Sequence, residues 1–198
     1  MITLGNHTWR RAEIGAYLKT SEQVIRPANF SPLTPGRGLT VTPAAGGKPV
    51  AVINVLGSLF LSPAVSMFEL VDDLVAQARE QADVIVVDVH AEATSEKVAL
   101  SRWLDGRVTA VFGTHTHIQT NDARVQPGGT AALTDAGMTG PHDSVIGVTA
   151  EQAISRMRTG LPIRFETAQN DVRIEGALVE CGPDGRATRC ETIRVPVP

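Results

Sequence analysis

Short apolar runs and amphipathic stretches alternate along the chain. Met1-Ile2-Thr3-Leu4 reads as a short strand, and Gly5-Asn6-His7 as the turn that leaves it. Residues 9–19 carry apolar side chains at helical spacing (Trp9, Ala12 and Ala16; Ile14, Tyr17 and Leu18), which predicts a short helix. Residues 27–49, with Pro27, Pro32, Pro35, Pro43 and Pro49 among several glycines, read as a long extended connection. A buried strand follows over 50–55 and a helix over roughly 67–81. VIVVDV at 84–89 is almost continuously apolar, as a central parallel strand covered on both faces would be. Thr94 or Ser95 then caps a further helix, and 108–112 is the next buried strand. Beyond residue 120 the pattern breaks into short strands split by Gly and Pro, with one helix near 150–158. The end is a hairpin, DVRIEGALVECGPDGRATRCETIRV, whose apolar phase shifts in a way that predicts a bulge at Gly176. These are βα units followed by antiparallel strands, an α/β fold in one domain with no internal repeat.

At 198 residues one domain can bury a useful core. A net charge of −3 gives no electrostatic footprint for nucleic-acid backbone or an anionic membrane. Small anionic substrates stay open, because a bound metal or a cationic pocket overrides net charge locally. The most apolar stretch, PVAVINVLGSLFLSP, is interrupted by Asn54, Gly57 and Ser58 and is too short to span a bilayer. The start shows no charged region followed by an apolar run and a cleavage site. Cys181 and Cys190 flank GPDG. With Pro183 and Asp184 at the hairpin tip, Cys181 faces Arg186 rather than Cys190, which predicts free thiols and a reducing, cytoplasmic location.

The histidines are the most informative residues. His7 follows the first strand, His90 follows 84–89, and His115 and His117 follow 108–112, so four of the five sit just past the carboxyl end of an expected strand. In a mostly parallel sheet those ends share one edge, where chemistry is usually placed. Imidazole is a common metal ligand, and side chains two apart in extended chain point the same way, so GTHTH would offer two ligands to one site, with Gly113 allowing a tight turn before them. Asn6 adds a carbonyl oxygen beside His7. Taken singly, a strand-end histidine is more often a hydrogen-bonded structural residue than a ligand; four of five at such positions together favour a metal site. His142, in TGPHDS, follows no buried strand and reads as a loop residue.

Carboxylates are scarcer. Asp88 and Glu92 bracket His90, where either could orient the ring through its second nitrogen, or else serve as a strand-end cap and a solvated helix start. Glu96 and Lys97 read as the same solvated start. Asp135, in TDAGMTG, is a turn carboxylate or a support for the site. A two-metal hydrolytic site normally shares a bridging carboxylate that offsets repulsion between the ions, and Asp88 is the sole acidic residue at a comparable strand end. The donor set is lopsided.

LGNHTW, DVHAEATSEK, GTHTHIQTND and TDAGMTGPHDSVIG, in this order and spacing, resemble the YmdB-like branch of the bacterial calcineurin-like metallophosphoesterases. The likeness runs from Met1 to about Gly147. It implies a β-sandwich flanked by helices, two divalent or trivalent metal ions (iron or manganese), and hydrolysis of small phosphodiesters, including 2′,3′-cyclic nucleotides. Carried over by position, Asn6, His90 and His115 would bind one metal and His117 the other, while His7 would protonate the leaving group. Asp88 and Asp135 would support the ligands from behind. The family fold also has an earlier strand ending in a Gly-Asp turn and another ending in a Glu-Asn pair, which supply the acid ligands. The resemblance therefore implies an N-terminally truncated domain, short of about sixty family residues and impaired in turnover. Self-association is left open. Two other readings stand beside it: a catalytically inactive interaction module that keeps the fold, and a mononuclear hydrolase built on His90, His115 and His117.

Overall fold

The computed structural model describes residues 1–197. A six-stranded mixed sheet forms its centre. The sheet is made of β3 (Leu39–Pro43), β4 (Pro49–Leu56), β5 (Val84–His90), β6 (Ala110–Thr114), β7 (Arg124–Val125) and β8 (Ala131–Leu133), in the order β3-β4-β5-β6-β8-β7. Strands β4, β5, β6 and β8 run parallel, and β3 and β7 close the edges antiparallel. One face of these strands is fully buried, through Ala51, Ile53, Val55, Ile85, Val87 and Val89, while Val52, Val84 and Val86 on the other face are only half-buried, so the expectation of a strand covered on both faces is met in part. Ile53, Val55, Val87 and Val89 pack with Val71, Val75 and Ala78 of α2 (Val71–Arg79), with Leu100 of α3 (Thr94–Trp103) and with Leu104 just past its end. Truncating one of these, as in Leu100→Ala, costs about 2–5 kcal/mol in such a core.

Two smaller sheets complete the fold. β1 (Ile2–Thr3) pairs parallel with β2 (Val24–Ile25). The buried Asn54 ties this unit to β4: its Nδ2 donates to the Leu4 carbonyl at 2.6 Å, and its own carbonyl accepts from Ala28 N–H at 2.8 Å. That tether brings the Gly5-Asn6-His7 turn to the carboxyl edge of the main sheet. The third sheet holds β9 (Gly140–Pro141), β10 (Val172–Cys181) and β11 (Ala187–Pro196), in the order β11-β10-β9. β11 lies against β7 and β8, where Ala187, Val179 and Cys190 meet Ala110, Ala131 and Phe112. The helix α4 (Ala150–Thr159) precedes this last hairpin. Among the described residues no helix is long and apolar enough to cross a membrane.

Several sequence expectations need correction. The helix expected over 9–19 is a 3-10 turn at Thr8–Arg10 followed by the five-residue α1 (Ile14–Leu18), and only Thr8 and Leu18 of the two are buried. With no buried stripe to hold it, the segment folds locally, closed by the Thr8 hydroxyl on the Gly5 carbonyl at 2.6 Å. The Pro-rich stretch contains a strand, β3, whose Pro43 and Pro49 face one another at the open end of an edge pair, where a missing N–H is tolerated. The rest is held by buried Arg26, which donates to the carbonyls of Pro27, Thr34 and Pro35. Neither Thr94 nor Ser95 caps α3: its N-cap is Ala93, with no side-chain bond. Gly176 pairs regularly with Ile193, and the register shift falls between Glu180 and Cys181. Glu175, Ala177 and Val179 lie on the more buried face of β10 while Ile174 and Leu178 are exposed, so the apparent phase shift comes from apolar residues on the outer face rather than from a bulge. The register shift sets Cys181 opposite Ala187 rather than Arg186; Cys190 faces Val179, and both thiols are free.

Candidate metal centre

Three elements meet at the carboxyl edge of the parallel sheet. His90 is the last residue of β5 and stands in register with Leu56 of β4 and Thr114 of β6. His115 follows β6, and Asn6 follows β1. Within this group His90 Nε2 lies 3.0 Å from Asn6 Oδ1 and 3.1 Å from His115 Nδ1. The two imidazoles meet edge to face with centroids 4.8 Å apart. Gly5 permits the approach, since a Cβ there would come within 2.3 Å of the His90 ring.

The protons can be assigned from the partners behind the rings. Thr114 has one hydroxyl proton, and it goes to Asp88 Oδ1 at 2.7 Å. Thr114 Oγ1 must then accept from His90 Nδ1–H at 3.0 Å, which leaves His90 Nε2 bare. His115 Nε2 sits 2.9 Å from the Glu92 carboxylate; in the neutral imidazole, where Nε2 carries the single ring proton toward that carboxylate, His115 Nδ1 is bare as well. Three lone-pair donors, Asn6 Oδ1, His90 Nε2 and His115 Nδ1, thus crowd together with no proton between them. Such a set is repulsive by itself and fits a cation: donors around an ion at about 2.1 Å in right-angled geometry are about 3.0 Å apart. Burial, then the neighbouring His115 and Lys97, push the His90 pKa down to about 4, so its ring is neutral at physiological pH, as a ligand must be. Burial pushes the Asp88 carboxyl up to about 6 against hydrogen bonds from Thr3 and Thr114. Among the described residues no three His, Cys, Asp or Glu side chains form a metal-holding group, so the set reaches three only with Asn6.

The GTHTH segment departs from expectation. His115 and His117 have φ of 100° and 67°, so the chain is left-handed there and the two rings do not share one direction. His115 turns in to His90, while His117 is exposed and unbonded at the rim of a depression of about 270 Å³ that His90, His115 and Met138 also line. Gly113 is a strand residue rather than a turn former: a Cβ on it would fall 1.6 Å from the Thr134 carbonyl oxygen. The left-handed loop is pinned at its middle residue. Asp135 Oδ2 accepts from Thr116 N–H at 3.2 Å and from Thr116 Oγ1 at 2.6 Å, and its Oδ1 accepts from Gly137 N–H at 2.9 Å. Lys97 Nζ neutralises Asp135 at 2.8 Å, with both side chains almost wholly buried. Lys97 is therefore no solvated helix-start residue, and neither is Glu96, whose carboxylate accepts from the Ser58 and Leu59 N–H groups.

Of the candidate residues, the structure brings Asn6, His90 and His115 together. It sets Asp88 behind His90 through Thr114 and Asp135 behind the loop through Thr116, and it leaves His117 and His7 exposed without hydrogen bonds from their rings. His142 lies elsewhere, its Nε2 3.1 Å from the Met138 carbonyl and 3.8 Å from Glu175. Thr114 and Lys97 were missed because register and burial decide their roles. Glu92, two residues past His90, carried a weak signal. A larger cavity of about 390 Å³ opens at the opposite edge near Arg79, Arg107 and Arg186, but it holds no histidine, and Arg79 and Arg107 are engaged by the Arg107 carbonyl and Asp72.

The comparisons with known proteins place the fold among phosphatase structures. The fold matches a crystal structure described as a phosphatase from Mycoplasma pneumoniae with a TM-score of 0.85 and 33% identity, over 98% of this chain and 71% of that one. It matches a hypothetical protein from Thermus thermophilus with a TM-score of 0.91 and 41% identity, over 100% of this chain and 77% of that one. The chain belongs to the YmdB-like family, whose model, described as "YmdB-like protein", matches residues 1–193. It is 47% identical over 179 residues to the 2′,3′-cyclic-nucleotide 2′-phosphodiesterase of Bacillus subtilis (strain 168), covering 90% of this chain and 67% of that protein.

Proposed function

We propose that this chain is a metal-dependent phosphodiesterase of the cytoplasm acting on small phosphodiesters, 2′,3′-cyclic nucleotides first among them. The observation that carries the metal dependence is the convergence of Asn6 Oδ1 and His115 Nδ1 on His90 Nε2, at 3.0 and 3.1 Å. The Bacillus subtilis relative supports the substrate. Asn6, His90 and His115 would hold one ion, iron or manganese, and His117 contributes to a second. A bound ion supplies a water acidic enough to ionise near neutral pH and polarises the phosphoryl oxygen. The chain's own residues do the rest. Glu92 fixes the tautomer of His115, and Asp88 fixes that of His90 through Thr114. His7, exposed beside Asn6, delivers a proton to the departing alkoxide.

All the donors of this chain are neutral, and two neighbouring cations among neutral ligands repel without a bridging carboxylate. The chain alone therefore binds metal weakly and turns over weakly. A mononuclear site on Asn6, His90 and His115 is the second reading; His117, expected as one of its ligands, lines the same depression but makes no bond to the other three. Hydrolysis of 2′,3′-cyclic AMP by the purified chain in manganese, with His90→Ala as control, tests the proposal. Weak turnover that manganese raises, and that His90→Ala lowers about 100-fold, is expected. Turnover indifferent to chelator would refute it. No turnover and no retained metal would favour a non-catalytic interaction module.

A further inference from the structure

Beside the triad, the loop that leaves β4 presents an aromatic side chain to nothing in the chain. Phe60 is 86% exposed and sits at φ 68°, a left-handed conformation that a bulky residue rarely adopts. Exposure of a large apolar ring and backbone strain are both unfavourable, and they coincide at one residue. The loop around it is firmly held. Glu96 of α3 accepts from Ser58 N–H at 2.6 Å and from Leu59 N–H at 3.2 Å. At the other end Ala64 N–H donates to the Asn29 carbonyl, and Asn29 Nδ2 donates to the carbonyls of Leu56 and Val65. Gly57 N–H donates to the carbonyl of His90 itself, at 3.0 Å. The ring is thus carried on a fixed arm registered to the same strand end as the metal centre.

Phe60 and Leu61, with Asn6, Glu92 and His115, line a depression of about 450 Å³. Two of those residues, Asn6 and His115, belong to the triad, so one wall of the depression is apolar and the other is the candidate metal centre. A nucleotide has the same division, with a flat base at one end and an anionic phosphodiester at the other.

We propose that Phe60 is the base-stacking residue of this site: the phosphodiester is held at the triad while the nucleobase lies on the exposed face of the ring. The inference rests on the phosphodiesterase reading above and names a specificity determinant for it. Stacking accepts every base, so the four common bases bind with similar affinity, and a substrate with no base loses the contact. Its worth is about 5- to 150-fold in Kd.

The test is calorimetric titration of the manganese-loaded chain with adenosine 3′-monophosphate and with ribose 3-phosphate, which lacks the base. Wild type should bind the nucleotide about 5- to 150-fold more tightly. Phe60→Ala should erase that difference while leaving ribose 3-phosphate binding and the melting temperature unchanged. Phe60→Trp should retain the preference, and Phe60→Leu should lose most of it. Equal loss for both ligands in Phe60→Ala, or no loss for the nucleotide, would overturn the role of Phe60 alone. Failure of the wild type to bind either ligand would overturn the phosphodiesterase reading and this inference with it.

Discussion

Lys97→Met removes the ammonium of a buried ion pair that lies directly behind the ligand loop. Lys97 Nζ stands 2.8 Å from Asp135 Oδ2, and the two side chains are 2% and 1% exposed. Breaking a buried pair by deleting one partner typically costs about 3–5 kcal/mol, because the remaining charge is left uncompensated. Asp135 would keep its bonds from Thr116 and Gly137, which solvate part of that charge, so the lower end, about 3 kcal/mol, is expected. For a chain of this size that lowers the melting temperature by about 6–12 °C. Asp135→Asn combined with Lys97→Met should recover part of the loss, since no buried charge then remains. Metal affinity should fall about 10- to 100-fold in Lys97→Met, because Asp135 pins Thr116 between His115 and His117. Thermal unfolding by circular dichroism and manganese titration read the two effects. A Lys97→Met variant within about 0.5 kcal/mol of wild type would refute the assignment of the pair as the anchor of this loop.

Three further outcomes follow from the same geometry. Glu92→Gln removes the carboxylate behind a half-exposed contact to His115, so manganese affinity should drop about 10- to 100-fold in titration while thermal stability holds; an unchanged affinity would show that Glu92 does not orient the ring. Gly113→Ala must displace the Thr134 carbonyl and should destabilise by about 4 kcal/mol or more in urea unfolding, so near-wild-type stability would contradict the close approach. Asp122 is pushed up by burial, but hydrogen bonds from Thr134 and Thr120 outweigh this and its net pKa is lowered. Its stabilisation is present above the unfolded value of about 3.9 and is lost as pH falls through the folded value. Melting temperatures measured from neutral to acid pH should fall less steeply for Asp122→Asn than for wild type, and an identical acid slope would refute that role.

The sheet and the convergence of Asn6, His90 and His115 on its carboxyl edge were legible because both depend on short-range pattern. Continuous apolar runs mark β4, β5 and β6, and the histidines that follow them fall on one edge of any parallel sheet built from those runs. Asn6 was legible for the same reason. What escaped depends on the third dimension. The directions of His115 and His117 are set by two left-handed residues that the pattern HTH does not announce, since non-glycine residues rarely adopt that conformation. Lys97 looks solvated in the sequence because its helix is polar there, and only the approach of β6 and the Asp135 turn buries it. β3 hid in a proline-rich stretch because an edge strand tolerates Pro43 and Pro49 at its open end. The hairpin bulge was misplaced because apolar Ile174 and Leu178 lie on the exposed face while Ala177 and Val179 lie on the more buried one, which mimics a shift of phase.

The central claim is that Asn6, His90 and His115 form a cation site through bare nitrogen and oxygen donors. Electron spin-echo spectroscopy of the manganese-titrated chain tests it directly, because imidazole nitrogen bound to the ion leaves its own modulation. About one ion per chain with nitrogen modulation, lost in His90→Ala while the fold is retained, is the predicted result. Manganese binding without nitrogen modulation, or binding unchanged in His90→Ala, would contradict it.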